Sequence, residues 1–289
     1  MVRNKFLWMA LLLALLALLV LRPHRRPTLD AASADTGIEP AGLETQPIHA
    51  VRRRDTGFGE EYLVSNLTAG PIEVQCSLDE SDNVQSVPPL PRDMVLPALA
   101  EVKIAELRSI DPNRGGKAAI ACSAIVGDPG ASAPVGIAYA LPFPPGTEFT
   151  LDQGFDGAFS HHDEQSRYAL DLAVAEGTPV LAARDGVVMQ VEEDFRASGT
   201  DAERFGGRAN YVRVVHADGS MAVYAHLAPK SMLRRAGDHV RVGDLIGKSG
   251  NTGFSTGPHL HFSVQRNAGM SLLSIPFAMP GIDPRAPRH

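Results

Sequence analysis

Apolar residues fill an early stretch of this chain without interruption and afterwards recur only in short runs broken by Gly and Pro. The first stretch, Phe6 to Leu21, is preceded by Arg3 and Lys5 and followed by Arg22, Arg25 and Arg26. As a helix it would be about 24 Å long, slightly short of a hydrocarbon core of about 30 Å. A cleaved leader and an uncleaved single-span anchor compete for residues 1–26. Ala32-Ser33-Ala34 has the small residues of a cleavage site but lies far beyond the apolar run, so the anchor is preferred. Basic residues at both ends leave the orientation undecided by charge. The body is expected outside the cytoplasmic membrane, in the periplasm or cell envelope.

Residues 27–51, rich in Pro, Ala, Thr, Gly and Asp without periodicity, read as a linker. Residues 52–140 hold short β-like runs between turn residues, among them Glu61–Ser65, Pro71–Cys76 and Lys117–Cys122. This spacing predicts a small β-sandwich-like accessory domain, suited to spacing, shielding or contact with a protein partner. Leu141-Pro-Phe-Pro-Pro-Gly forms a stiff boundary before a second domain, 141–267. Strands are predicted there at Tyr168–Val174, Pro179–Ala183, Gly186–Val191, Tyr211–Val215, Met221–His226 and His259–Gln265. Asp218-Gly219 marks a hairpin turn, and Gly237–Gly250 reads as another β-turn-β unit. No long amphipathic helical period occurs, so the expected class is all-β and antiparallel. Residues 268–289 form a tail whose apolar stretch is expected to pack back on the domain.

At 289 residues there is room for two domains, and a net charge of −6 offers no footprint for a polyanion, which excludes nucleic acid as a partner. The two cysteines, Cys76 and Cys122, lie in strand-like runs and lack metal-binding spacing. They form either a disulfide, as an oxidising compartment favours, or two buried thiols.

Chemistry concentrates in four strand-like places. Alternation along a strand puts His259 and His261 on one face, about 6–7 Å apart. Asp171 and His226 sit in similar apolar runs, and Ala169 and Ala173 leave space beside Asp171. A catalytic zinc usually takes three ligands from His, Asp and Glu and keeps one position for water. Asp171 and His261 suit that role. The residues alone leave the third ligand open and do not separate the roles of His259 and His261.

Four segments occur in order: Tyr168-Ala-Leu-Asp-Leu-Ala, Gly177-Thr-Pro-Val-Leu-Ala-Ala-Arg-Asp-Gly-Val-Val, Tyr224-Ala-His-Leu and Gly250-Asn-Thr-Gly-Phe-Ser-Thr-Gly-Pro-His-Leu-His-Phe. Together they resemble the lysostaphin-type (LytM-type) zinc endopeptidases that cut peptide cross-links of bacterial peptidoglycan. The resemblance spans about residues 149–266. It implies an antiparallel β-sheet peptidase domain with a central groove, a Zn2+ cofactor and peptidoglycan peptides as substrate. It implies Asp171 and His261 as metal ligands, and His226 and His259 as catalytic histidines that orient water and stabilise the oxyanion. Many members carry a ligating His four residues before the Asp, where this chain has Arg167. A subgroup lengthens that loop and takes the ligand from a Ser-His pair, which maps to His161. The alternatives are His162, or no ligand from this loop and hence a metal-free, degenerate domain. Ser263 also stands where an acidic residue is frequent.

Ordinary readings stand beside these. His216 reads as a solvated residue before a turn, and His49 and His239 as surface positions. Asn210 and Tyr211 line the groove or serve structure, and the glycines from Gly250 to Gly257 are first of all turn formers. A degenerate member that binds and activates a cell-wall amidase is the competing function. A biotinyl or lipoyl carrier would need a lysine at a hairpin tip, which no Met-Lys-type turn provides.

Overall fold

The computed structural model describes residues 30–32, 46–57 and 59–285. The apolar run Phe6–Leu21, its basic flanks and most of the linker lie outside the described residues.

The first half folds as β1 (Asp30–Ala32), β2 (His49–Asp55), β3 (Glu60–Asn66), β4 (Ile72–Asp82), β5 (Val84–Val87), β6 (Arg92–Leu96), β7 (Glu101–Ser109) and β8 (Lys117–Val126). They make two four-stranded sheets, ordered β1-β8-β4-β6 and β2-β3-β7-β5. Alternating residues of both sheets, such as Tyr62, Val64, Ile72, Val74, Ile104 and Ile120, enclose one apolar core. The period-2 pattern of these runs thus does what it predicts, with one face buried and one in water. Cys76 and Cys122 are register partners on β4 and β8 and are joined by a disulfide.

The second half contains β9 (Thr150–Gln153), β10 (Ala169–Ala173), β11 (Pro179–Leu181), β12 (Gly186–Glu192), β13 (Ser198–Gly199), a short helix α1 (Ala202–Phe205), β14 (Tyr211–Val215) and β15 (Met221–Ala225). It continues with β16 (His239–Val240), β17 (Leu245–Lys248), β18 (Gly253–Phe254), β19 (His259–Asn267) and β20 (Leu272–Ser274). The main sheet is ordered β16-β12-β14-β15-β19-β10-β9, with β20 added beside β19. Its neighbours all run antiparallel. One face buries Leu170, Leu172, Val212, Tyr224, Leu260 and Phe262. Phe262 meets Tyr139, Tyr224 and Phe277 edge-on at 5.8, 5.1 and 5.1 Å. Because side chains alternate, the opposite face of β10 and β19 receives Asp171, His259 and His261.

The tail returns as expected: Ile275, Phe277 and Met279 join this core. Farther along, the Pro284 carbonyl accepts the N–H of Phe155 at 2.8 Å. The two halves also touch. Met189 and Met221 enter the first core, and Met270 N donates to Glu73 Oε2 at 2.6 Å.

Three expectations are corrected. Gly237–Gly250 is not one β-turn-β unit, because β16 pairs with β12 whereas β17 pairs with β11. His49 is buried at the end of β2 rather than on the surface. His216 is buried too, its Nδ1 donating to Asp185 O at 2.7 Å and its ring edge-on to Tyr139 at 5.4 Å. The Asp218-Gly219 turn itself forms, with Gly219 at φ 82° donating to His216 O at 2.9 Å. The hairpin is as predicted, but Tyr139 from outside it covers the histidine.

Burial, with Arg184 nearby, lowers His216 to about 4. The unfolded chain therefore binds the extra proton first, and stability present above pH 6.5 is lost as pH falls toward 4. The loss amounts to about 3 kcal/mol from this residue. His216→Asn keeps a donor for Asp185 O but cannot charge. Thermal melts in chelator should show a flatter acid decline for this variant than for the parent chain.

Candidate metal centre

Antiparallel register brings the polar residues of four neighbouring strands together. Asp171 lies opposite His261 on one side and opposite Gln153 on the other. His261 in turn lies opposite Ala225, the residue before His226, and Ala173 lies opposite His259. β15 ends at Ala225, and His226 takes a left-handed backbone at φ 60°, which turns its ring toward the site.

The carboxylate is the hub. Asp171 Oδ1 lies 2.9 Å from His261 Nδ1, 3.2 Å from His161 Nε2 and 3.7 Å from His259 Nε2. His226 packs against His259 with ring centroids 4.5 Å apart and planes tilted by 43°, and stands 5.8 Å from His261. Each of three imidazoles has Nδ1 occupied by a backbone carbonyl: His161 by Gly154 O at 2.8 Å, His226 by Thr252 O at 2.6 Å and His259 by Gly257 O at 2.8 Å. A carbonyl can only accept, so these Nδ1 atoms carry the hydrogen and leave Nε2 toward the site.

His161 comes from a loop, fully buried, while its neighbour His162 is exposed. Arg167, four residues before Asp171, is exposed and donates to Asp156 Oδ1 at 2.6 Å. Asn210 holds Phe195 and Leu227 backbone groups, and Tyr211 packs with Val223 and Ala225, so both serve structure. His239 is exposed as expected.

Two residues outside the sequence reading complete the surroundings. Gln153 Nε2 donates to Asp171 Oδ2 at 3.0 Å, and Ser255 Oγ lies 3.3 Å from His259 Nδ1. A lone Gln or Ser carries no local sign of such a role. Only the pairing of β9 with β10 and the turn before β19 reveal it.

The donor set fits a cation. His161 Nε2 is buried and faces Asp171 Oδ1 without a well-directed hydrogen bond. Its lone pair therefore meets a carboxylate lone pair unless a proton or a metal ion stands between them. Nitrogen and oxygen atoms from His161, Asp171 and His261 lie within 4.8 Å of one another, and two imidazoles with one carboxylate make a donor set for a divalent transition-metal ion. Protonation follows the same logic. Burial pushes Asp171 up, but the His161 and His261 imidazoles beside it outweigh that and hold the carboxyl well below the usual range. His161 is raised, burial notwithstanding, because Asp171 favours its charged form. His226 is lowered to about 3 by burial and by His259 and His261 beside it, so it is neutral at ordinary pH.

Residues 165–271 match the family model described as Peptidase family M23. That range contains Asp171, His226, His259 and His261, and begins just after His161. The chain is 38% identical over 119 residues to the DD-carboxypeptidase/endopeptidase Mpg of Neisseria meningitidis serogroup B, covering 41% of this chain and 24% of that one. It is 36% identical over 104 residues to the glycyl-glycine endopeptidase ALE-1 of Staphylococcus capitis, covering 36% of this chain and 25% of that one. The solved structure of lysostaphin from Staphylococcus simulans aligns at 30% identity and a TM-score of 0.31 over 42% of this chain and 44% of that one. The chain spans 21–24% of the length of the first curated relatives it matches.

Proposed function

We propose, from the premise that residues 165–271 carry a peptidase family M23 domain, that this chain is a zinc-dependent endopeptidase acting on the peptides of bacterial peptidoglycan. The observation that carries the reading is the convergence of His161, Asp171 and His261 on one point, flanked by His226 and His259. A relative in Vibrio cholerae named as the peptidoglycan DD-endopeptidase ShyA, 39% identical over 94 residues, supports the substrate class. An activator of an amidase would have no use for such a complete donor set.

His161 Nε2, Asp171 Oδ1 and His261 Nδ1 would hold the zinc. Bound there, zinc supplies Lewis acidity toward a water molecule and the scissile carbonyl. The chain's own residues supply the rest. With Nδ1 fixed on Thr252 O and Gly257 O, His226 and His259 keep one tautomer and one ring orientation. Their Nε2 atoms are the sites that take a proton from the attacking water and return it to the departing amine. Once protonated, the same N–H groups can donate to the negative oxygen that develops on the carbonyl.

The reading sets the enzyme outside the cytoplasmic membrane, tethered by residues 1–26. Its substrate is there, and the Cys76–Cys122 disulfide persists in an oxidising compartment. Spacing or partner contact is the part assigned to the two-sheet half.

Mass spectrometry of material released from purified sacculi by the zinc-loaded protein tests the proposal. Soluble muropeptides with a peptide bond opened by one water are the expected product, and the new termini identify the bond. A zinc-bound, folded protein that releases none would overturn the reading.

A further inference from the structure

The ligand His161 is not placed by strand register. It lies ten residues before Asp171 on a loop, and a loop needs something to hold it to the precision a metal demands. Gln153, the last residue of β9, is almost wholly buried and lies between the two. Its Oε1 accepts the backbone N–H groups of Phe159 and Ser160 at 2.9 and 3.3 Å. Because those backbone groups can only donate, the facing atom must be the amide oxygen, and the amide has one possible orientation. Its Nε2 then donates to Ser160 Oγ at 2.7 Å and to Asp171 Oδ2 at 3.0 Å. One side chain thus grips the residues just before His161 with its oxygen and the carboxylate with its nitrogen.

The consequence for Asp171 is specific. With Oδ2 engaged by Gln153, only Oδ1 is turned toward His161, His259 and His261. Gly157 makes room for this arrangement. A Cβ there would stand 2.2 Å from Gln153 Cγ, although the Gly157 backbone is not left-handed and would otherwise accept alanine.

We infer that Gln153 is a positioning residue of the metal centre, fixing Asp171 as a one-oxygen ligand and tying the loop that supplies His161 to it. The inference rests on the proposed zinc site. It accounts for how a loop, without strand register, delivers a ligand to a fixed point beside Asp171.

Zinc affinity measured by chelator competition on the intact chain tests this, with the spectrum of the Co2+-substituted protein as a second readout of ligand geometry. Gln153→Met removes these four amide hydrogen bonds without adding charge. Loss of an outer-shell partner of this kind is expected to weaken zinc binding about 10- to 100-fold and to alter the Co2+ spectrum. Gly157→Ala leaves Gln153 chemically intact but displaces it, and should weaken binding in the same direction. In a His161→Ala background the Gln153→Met effect should shrink, since half of its purpose is gone. A merely structural Gln153 would lower the melting temperature in chelator while leaving the zinc dissociation constant and spectrum unchanged, and that result would overturn the inference. If Gln153→Met does not fold, an unchanged zinc constant in Gly157→Ala overturns it equally. Failure of the parent chain to bind zinc would instead sink the proposed function.

Discussion

Asp171→Ala is expected to abolish zinc retention and sacculus cleavage together, with kcat/KM falling about a thousandfold or more, equivalent to about 4 kcal/mol of lost transition-state stabilisation. The reason is geometric. Three imidazole nitrogens lie within 3.7 Å of its Oδ1, and no other carboxylate belongs to the cluster that could hold a metal among the described residues. Without that charge, a dication would have to be held by neutral nitrogens alone. Metal analysis after dialysis, circular dichroism and muropeptide release on one preparation separate the outcomes. A folded Asp171→Ala protein that keeps one equivalent of zinc and cleaves sacculi at the parent rate would refute the ligand assignment.

His226→Asn and His259→Asn should do the opposite to the metal. Zinc content is expected to stay near that of the parent, whereas kcat drops by about two to four orders of magnitude, the usual worth of a positioned proton-transfer group. Asparagine is the informative replacement. Its amide can still donate to Thr252 O or Gly257 O as Nδ1 does, and it tolerates the left-handed backbone at position 226. What it lacks is an atom where Nε2 stands. Zinc loss in either variant would move that histidine into the ligand set. An unaffected kcat with full zinc would remove it from the proton pathway.

The strands were legible because period-2 alternation is a local property. β14 occupies the predicted residues, and β10, β12, β15 and β19 differ from the predicted runs only at their ends. Asp171 and His261 were legible as partners for the same reason, each facing away from the Leu and Phe that the core takes. Register is not local. That Asp171 lies opposite both His261 and Gln153 depends on which strands pair, so Gln153 was invisible. The burial of His216 depends on Tyr139, 77 positions earlier, crossing over the hairpin. The break at Val240–Leu245 into two sheets likewise follows from tertiary pairing, which overrides a run that reads as continuous β.

Pro284 O seats against Gly154, where a Cβ would come within 2.1 Å of it, and bonds the N–H of Phe155. The last described residues thereby buttress the start of the segment that leads to His161. Removal of the segment after Met279 would therefore leave every proposed ligand in the chain while taking away this support of the stretch that precedes His161.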